Sequence, residues 1–183
     1  MSRLIHLNGP PGVGKSTMAR RYGADHPGVL NCDIDVLRTL VGGWQDDFAG
    51  AGAAIRPAAL AMIHAYLAEG RDVVMPQMLV DPAELARFEK AATDAGADFV
   101  ERFLMDSADS TIARFHRRGA GGDPDPWHDQ VRQIVAGEGG DQRLVQCHRA
   151  LEELAARRSR AKIVRSVEGA EDRTYRDLVE SLA

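Results

Sequence analysis

The sequence predicts an α/β fold, with a parallel five-stranded sheet and helices on both of its faces. Strand-like and helix-like segments alternate along most of the 183 residues, and such alternation is typical of a parallel sheet with helical crossovers. A glycine-rich segment, NGPPGVGKST, separates the first strand from the first helix. One break in composition, GAGGDPDPWHD, interrupts the pattern late in the chain. The length predicts a single domain over residues 1–183.

The spacing of hydrophobic residues along the sequence predicts the positions of the strands and helices. Five short apolar runs predict strands, near residues 2–8, 28–33, 72–76, 98–105 and 161–165. Helical spacing predicts seven helices, near residues 15–24, 34–41, 53–69, 81–95, 107–118, 129–158 (broken around Gly137 to Gly140) and 172–182. The fourth helix has clear end signals, because Asp81 suits its N-cap, Pro82 its first turn and Gly96 its end. Ligands of such sheets bind beyond the carboxyl ends of the strands, so functional residues are expected there.

Composition restricts the class of protein. A formal net charge of −4 argues against a dedicated nucleic-acid binder. The two cysteines, Cys32 and Cys147, lack metal-binding spacing and suit a reducing compartment. The first strand begins almost at the N-terminus, which leaves no room for a secretion signal. No segment approaches the ~20 apolar residues of a membrane span. We therefore expect a cytoplasmic protein that does not bind membranes.

The glycine-rich segment fits the phosphate-binding pattern G-x-x-x-x-G-K-[ST] between Gly9 and Ser16. Backbone N–H groups in such a loop, together with the start of the following helix, attract phosphate oxygens. Lys15 is placed to reach the β- and γ-phosphates, and Ser16 to offer its hydroxyl to Mg²⁺. A turn that binds nothing would not need these two residues at these offsets. The predicted nucleotide-contacting residues are Gly9, Pro10, Pro11, Gly12, Val13, Gly14, Lys15, Ser16 and Thr17.

Two aspartates follow the second strand in LNCDIDVLR. We interpret Asp33 as a residue near the Mg²⁺ shell, directly or through water. Asp35 is interpreted as the base that takes a proton from an acceptor hydroxyl. The alternative is that Asp35 only caps the following helix. Capping accounts for one aspartate and not for both, and the two roles are compatible.

The combination of GPPGVGKSTMA with DIDVLR resembles the small P-loop kinases. This group includes shikimate kinase, gluconate kinase, chloramphenicol phosphotransferase and the zeta-toxin-like proteins. The resemblance implies a three-layer P-loop NTPase fold and transfer of the γ-phosphoryl group of ATP to a hydroxyl of a metabolite, sugar or antibiotic. It also implies that Asp35 orients or deprotonates this hydroxyl, that Asp33 lies on the metal side, and that the loop from Val167 to Gly169 contacts adenine. The segments IRPAA and VVMPQML depart from shikimate kinase and argue against shikimate as the acceptor.

The third and fourth strands do not end in a clear Walker B aspartate. The third ends in DVVMPQ, so metal binding is expected to depend on Ser16, the nucleotide phosphates, water and Asp33. Gln77 follows this strand where an acceptor is expected, and it is either an acceptor contact or an ordinary polar loop residue. Asp106 ends the fourth strand and suits the cap of the next helix.

Residues 107–137 are predicted to form a mobile lid. Arg114, Arg117 and Arg118 share one helix face, and a Gly-Ala-Gly-Gly tract follows them. Guanidinium groups stabilise the charge that develops during phosphoryl transfer, and closure excludes water. We expect Arg118 to contact the transferred group, and Arg114 or Arg117 to stack on adenine or bind other phosphates. The alternative is a solvated basic helix face that ends at Gly119.

Four further side chains are weaker candidates. Arg38 and Arg56 follow the second-strand site and are predicted to contact the acceptor, with surface salt bridges as the alternative. Trp44 and Trp127 lie in glycine-rich segments and are candidates for pocket walls. The six histidines show no zinc-binding pattern.

The leading hypothesis from sequence is an ATP:alcohol phosphotransferase with Lys15, Asp35 and Arg118 as catalytic residues and a small hydroxylated acceptor. A 5′-hydroxyl polynucleotide kinase would use the same base. The net negative charge of the chain, and the lack of a segment in which basic and aromatic residues alternate, count against this activity. A nucleoside monophosphate kinase would need more arginines at the acceptor and no base. The non-enzyme alternative is an ATP-binding regulatory protein, which would be expected to show a base-reading motif such as N-K-x-D.

Overall fold

The computed structural model describes residues 1–118 and 125–183, and these contain five strands and eight helices. The strands are β1 (Arg3–Asn8), β2 (Leu30–Asn31), β3 (Val73–Pro76), β4 (Asp98–Met105) and β5 (Lys162–Arg165). The helices are α1 (Lys15–Asp25), α2 (Ile34–Arg38), α3 (Phe48–Ala68), α4 (Pro82–Asp94), α5 (Ala108–Arg117), α6 (His128–Gly137), α7 (Asp141–Arg157) and α8 (Glu171–Leu182).

The five strands form one sheet in the order β2-β3-β1-β4-β5, and every neighbouring pair is parallel. β1 lies at the centre, where Leu4 pairs with Val73 of β3 and with Phe99 of β4. The carboxyl ends of all five strands therefore lie at the same edge of the sheet. The predicted fold class is confirmed.

Alternating side chains of the sheet build a core on each face. Leu4 of β1 packs on the side that carries α3 and α4, and Ile5 packs on the side of α1 and α8. Both side chains are fully buried. This alternation follows from the two-residue period of a strand, and it makes both faces of the central strand apolar.

Some predicted boundaries differ from the observed ones. β2 is shorter than predicted, and α2 ends at Arg38 instead of residue 41. α3 begins at Phe48, five residues before the predicted start, because Asp47 accepts a hydrogen bond from the N–H of Gly50 and caps the helix. The predicted break in the long helical segment is confirmed, since α6 ends at Gly137 and α7 begins at Asp141.

α3 corrects the expectation that no segment approaches a membrane span. It has 21 residues, and by length and composition alone it is long and apolar enough to cross a membrane. About a quarter of its most apolar window, 28%, is buried. Its inward side chains Ala59, Ile63 and Leu67 belong to the core next to the sheet.

Candidate active site

The glycine-rich loop is packed closely against the sheet. Gly9 has φ 148°, and a β-carbon there would lie 2.3 Å from the carbonyl oxygen of Leu104 at the end of β4. Gly14 has φ 96° and is the N-cap of α1, so the helix begins at Lys15. Because L-residues with a side chain rarely adopt such angles, these two positions require glycine. The N-terminus of α1 is thereby held at the carboxyl edge of the sheet.

Two buried polar side chains anchor this loop. The amide nitrogen of Asn8 donates to the carbonyl of Leu79 at 2.9 Å, and its Oδ1 accepts from the N–H groups of Gly9 at 2.9 Å and Leu79 at 3.1 Å. The hydroxyl of Ser166 donates to the carbonyl of Val13 at 2.7 Å. The loop is therefore tied to the segments that follow β3 and β5. Neither residue was predicted from the sequence. Asn8 could have been, because a polar residue at the end of an apolar strand indicates a structural or binding role.

Lys15 folds back on its own loop. Its Nζ donates to the carbonyls of Gly9 at 2.9 Å and Pro10 at 3.0 Å. Burial, and then the positive charge of Arg118, lower the pKa of Lys15 to about 8, while Asp35 and Asp33 act in the opposite direction. The ammonium group is therefore in an unfavourable environment until an anion reaches it.

The two aspartates have different surroundings. Asp33 is the N-cap of α2, and its Oδ1 accepts the N–H of Asp35 at 3.1 Å. The alternative in which Asp35 caps this helix is therefore wrong. Burial, and then the charge of Asp35, raise the pKa of Asp33, whereas a hydrogen bond from Ser16 lowers it. The predicted metal-side pair, Ser16 and Asp33, is thus brought together.

Asp35 faces a cavity together with Arg38. Nη2 of Arg38 lies 3.3 Å from Oδ1 of Asp35. The guanidinium carbon of Arg38 lies 3.8 Å from the centre of the Phe48 ring, and a β-carbon at Gly52 would lie 2.7 Å from Nη2. Arg38 is thus held between an aromatic ring and a bare helix backbone, only 8% exposed, and its Nε has no hydrogen-bond partner among the described residues.

Gln77 is positioned by a buried histidine, His6, which was not predicted from the sequence. His6 lies on β1, and its Nε2 is 2.8 Å from the carbonyl oxygen of Gln77, which can only accept a hydrogen bond. Nδ1 of the same ring lies 3.4 Å from Oε1 of Glu101. The side chain of Gln77 is 8% exposed, and its Oε1 has no hydrogen-bond partner in the described part of the chain.

Several of these side chains, but not Asp33, His6 or Glu101, line one cavity of about 320 Å³. Lys15 and Ser16 border it at the loop, and Asp35, Arg38 and Gln77 form its adjoining wall. Trp127, which is 6% exposed, also lines it, as the sequence suggested. Two other candidates are not part of its lining: Arg56 pairs with Glu84 at 3.3 Å, and Trp44 lies beside Phe48 with ring centres 6.4 Å apart. The cavity has the size and mixed lining typical of small-molecule sites.

A second cleft of about 340 Å³ lies on the other side of the loop. Gly12, Val13, Gly14 and Thr17 border it, as do Arg114, Arg117 and the loop that contains Val167. Arg114 donates to Asp106 and to the carbonyl of Ser166, both at 2.8 Å, and Arg117 forms an ion pair with Glu168. Arg118 lines both the cleft and the cavity. All three predicted arginines therefore border the phosphate loop.

The region predicted as a lid is only partly described. Its glycine tract lies in residues 119–124, outside the described residues. On its N-terminal side, Ser107 caps α5, so the interpretation of Asp106 as the cap is wrong. On its C-terminal side, Asp125 forms a bidentate ion pair with Arg20 of α1. Nη1 of Arg20 donates to Oδ1 at 3.0 Å, and Nη2 donates to Oδ2 at 3.1 Å. The segment that follows the tract is thus attached to the helix that begins at the phosphate loop.

The chemistry of the donors fits a magnesium ion. Within residues 1–118 and 125–183, no group of three or more His, Cys, Asp or Glu side chains is arranged to hold a metal. The adjoining oxygens of Ser16 and Asp33 would instead supply a few ligands to an ion that takes its others from phosphates and water. Mg²⁺ favours such sites.

Comparison with known proteins agrees with this geometry. The family profile of an AAA domain, AAA_33, matches residues 4–133. The chain belongs to this family of P-loop domains. The matched region contains the glycine-rich loop, both aspartates, Gln77 and the three arginines. A nucleotide-binding site at the loop follows from this membership. Among curated proteins, none matches the sequence significantly.

Solved structures share the fold at low sequence identity. A gluconokinase from Sinorhizobium meliloti 1021 has a TM-score of 0.63 and 19% identity, over 97% of this chain and 90% of its own. The tunicamycin resistance protein of Deinococcus radiodurans has a TM-score of 0.58 and 19% identity, over 98% and 95%. A chain of the Pnkp1/Rnl/Hen1 RNA repair complex has a TM-score of 0.64 and 18% identity, over 84% and 46%. These proteins are similar to this chain in architecture.

Nucleotide affinity is expected to depend on pH through Lys15. In the free protein Lys15 loses its proton as the pH rises through about 8, whereas bound phosphates raise its pKa. The contribution of Lys15 to ADP affinity should therefore be constant below this pH, and the affinity should fall by up to about tenfold per pH unit above it. Calorimetry with ADP and a chelator measures this without any metal. In Lys15→Arg the side chain stays charged, so the decline should disappear. An equal decline in both proteins would contradict the assignment.

Proposed function

We propose that this protein is an ATP-dependent phosphotransferase that moves the γ-phosphoryl group to a hydroxyl of a small molecule, with Asp35 as general base. One observation carries the proposal. Lys15 and Ser16 of the phosphate loop share a cavity with Asp35, a carboxylate that does not cap its helix. A phosphoryl donor and a hydroxyl acceptor would therefore have adjoining places in one cavity.

In this proposal ATP occupies the loop and the cleft beside it. Its base lies near Val167 and Arg117, and its phosphates lie against the N-terminus of α1. Lys15 leaves the carbonyls of Gly9 and Pro10 and binds phosphate oxygens. Ser16 and Asp33 would hold Mg²⁺, which neutralises phosphate charge when it is bound.

The transfer step follows from the acceptor side of the cavity. The acceptor hydroxyl gives its proton to the carboxylate of Asp35, its oxygen forms a bond to the γ-phosphorus, and the bond from that phosphorus to ADP breaks. Arg38, whose Nη2 lies 3.3 Å from Oδ1 of Asp35, orients this carboxylate through an ion pair. Gln77 binds the acceptor through its amide, and Arg118, which borders both the cleft and the cavity, contacts the transferred group.

Asp35→Asn tests the proposal. The purified protein would be given Mg²⁺-ATP and a panel of sugars, cyclitols, hydroxylated antibiotics, nucleoside monophosphates and a 5′-hydroxyl oligonucleotide, and ADP release would be measured. One class of hydroxyl acceptor should stimulate release, and Asp35→Asn should lower that rate by roughly a hundredfold or more. ATP affinity should remain, because the loop is unchanged. Asp81→Asn, at the exposed cap of α4, is the matched control, because asparagine caps as well as aspartate.

Other outcomes identify the alternatives. Stimulation by a monophosphate with full activity in Asp35→Asn would contradict the general base and favour a nucleoside monophosphate kinase. Stimulation by the oligonucleotide alone would favour a polynucleotide kinase. Tight ATP binding without stimulation by any acceptor would favour a regulatory protein.

Gly52→Ala tests the position of Arg38. The new β-carbon would lie 2.7 Å from Nη2 of Arg38 and would displace the guanidinium from Asp35. We expect kcat/KM for the acceptor to fall roughly tenfold to a hundredfold, with unchanged ADP affinity. Gly23→Ala in α1 is the control, because its β-carbon would meet only Asn31 at 3.7 Å. Alanine should stabilise that helix and leave the kinetics unchanged. Equal kinetics in both variants would show that Arg38 is not needed beside Asp35.

A further inference from the structure

The cavity has two chemically different ends. Near the phosphate loop its wall is polar, with Asp35, Arg38 and Gln77. The part of the wall that α5, α6 and α7 supply is largely apolar, and Phe115 of α5 also lies against Gly12 of the loop. The apolar side chains there are Phe115, Trp127, Val131, Ile134, Val135 and Leu144. Phe115, Val135 and Leu144 form a small core of their own, so this wall is firmly packed.

At the polar end, two side chains have hydrogen-bonding atoms without partners among the described residues. Nε of Arg38 and Oε1 of Gln77 are both buried, and each residue as a whole is 8% exposed. A buried polar atom without a partner costs free energy, so a ligand toward which these side chains turn would relieve that cost. A donor on one side chain and an acceptor on another, both in residues that line the cavity, suit a hydroxyl, which both accepts and donates.

At the apolar end, two nearby arginines are already neutralised. Arg132 of α6 forms an ion pair with Asp129, and Arg143 of α7 forms one with Glu138 at 2.9 Å. These guanidinium groups are therefore engaged by carboxylates of the protein itself. An anionic group on a ligand would have to compete with these pairs, whereas an uncharged apolar group would gain from the wall without disturbing them.

We propose that the phosphoryl acceptor is an amphipathic molecule: a hydroxyl-bearing end that binds Arg38 and Gln77 beside Asp35, joined to an uncharged aromatic or branched aliphatic group that packs on Trp127, Ile134 and Val135. This inference rests on the proposed function and names the substrate class of the same site. A wholly polar acceptor would fill the first end and leave the apolar wall in water.

A matched pair of simple alcohols tests the proposal. Glycerol and phenyl glyceryl ether share two adjacent hydroxyls, and only the ether carries an aromatic ring. With Mg²⁺-ATP present, the ether should stimulate ADP release at a concentration lower than that of glycerol by roughly tenfold or more, because even one methylene group in an apolar pocket is worth about that much. Binding without nucleotide would be measured in parallel by saturation-transfer NMR on the phenyl protons.

Two variants connect the effect to the apolar wall. Ile134 lines the cavity and is 37% exposed, so Ile134→Glu places a charge in the wall with little risk to folding. Val145 on α7 is almost equally exposed, at 38%, and is not part of the lining, which makes Val145→Glu the matched control. The advantage of the ether over glycerol should be lost in Ile134→Glu and kept in Val145→Glu.

The outcomes separate this inference from the proposed function. Equal stimulation by both alcohols, or an advantage that persists in Ile134→Glu, would overturn the amphipathic acceptor while supporting phosphotransfer. If neither alcohol stimulated ADP release, phosphotransfer to alcohols would lose its support. The NMR signal would then test the apolar subsite by itself. Phenyl saturation in the wild type that is lost only in Ile134→Glu would support the apolar subsite, and its absence in the wild type would overturn it.

Discussion

The site depends on one steric constraint, the close contact between the start of the phosphate loop and the end of β4. A β-carbon at Gly9 would lie 2.3 Å from the carbonyl oxygen of Leu104, so the loop approaches the sheet as only glycine permits. Asn8 then joins the loop to the segment after β3, and Ser166 joins it to the segment after β5. The cavity and the cleft that border the loop are therefore fixed to one edge of the sheet.

The electrostatics of this edge favour a bound ligand. Burial lowers the pKa of Lys15 and raises that of Asp33, so both charges are held at a cost in the free protein. Phosphates would relieve Lys15, and a divalent cation would relieve Asp33. Among the described residues, Nε of Arg38 and Oε1 of Gln77 also lack hydrogen-bond partners. Under the proposed function, a nucleotide and an acceptor would complete this environment, at a cost to the stability of the free protein.

Local spacing explains what the sequence could predict. The glycine pattern, the alternation of strands and helices and the pair Asp33 and Asp35 are short-range features, and each led to the right region of the fold. Features that depend on tertiary contacts were missed. The stacking of Arg38 on Phe48 across Gly52 joins two helices, and the support of Gln77 by His6 joins two strands. Neighbouring polar residues compete for caps, which is why Asp33 caps α2 and Ser107 caps α5.

The proposed function requires that the γ-phosphoryl group of ATP passes to a hydroxyl in the cavity beside Asp35. Phosphorus-31 NMR of the protein with Mg²⁺-ATP and its best acceptor measures the fate of that group most directly. We expect a phosphate monoester resonance to grow at the rate at which the γ-phosphate resonance disappears. Inorganic phosphate as the only new product besides ADP would contradict it, because water and not the acceptor would then be the nucleophile.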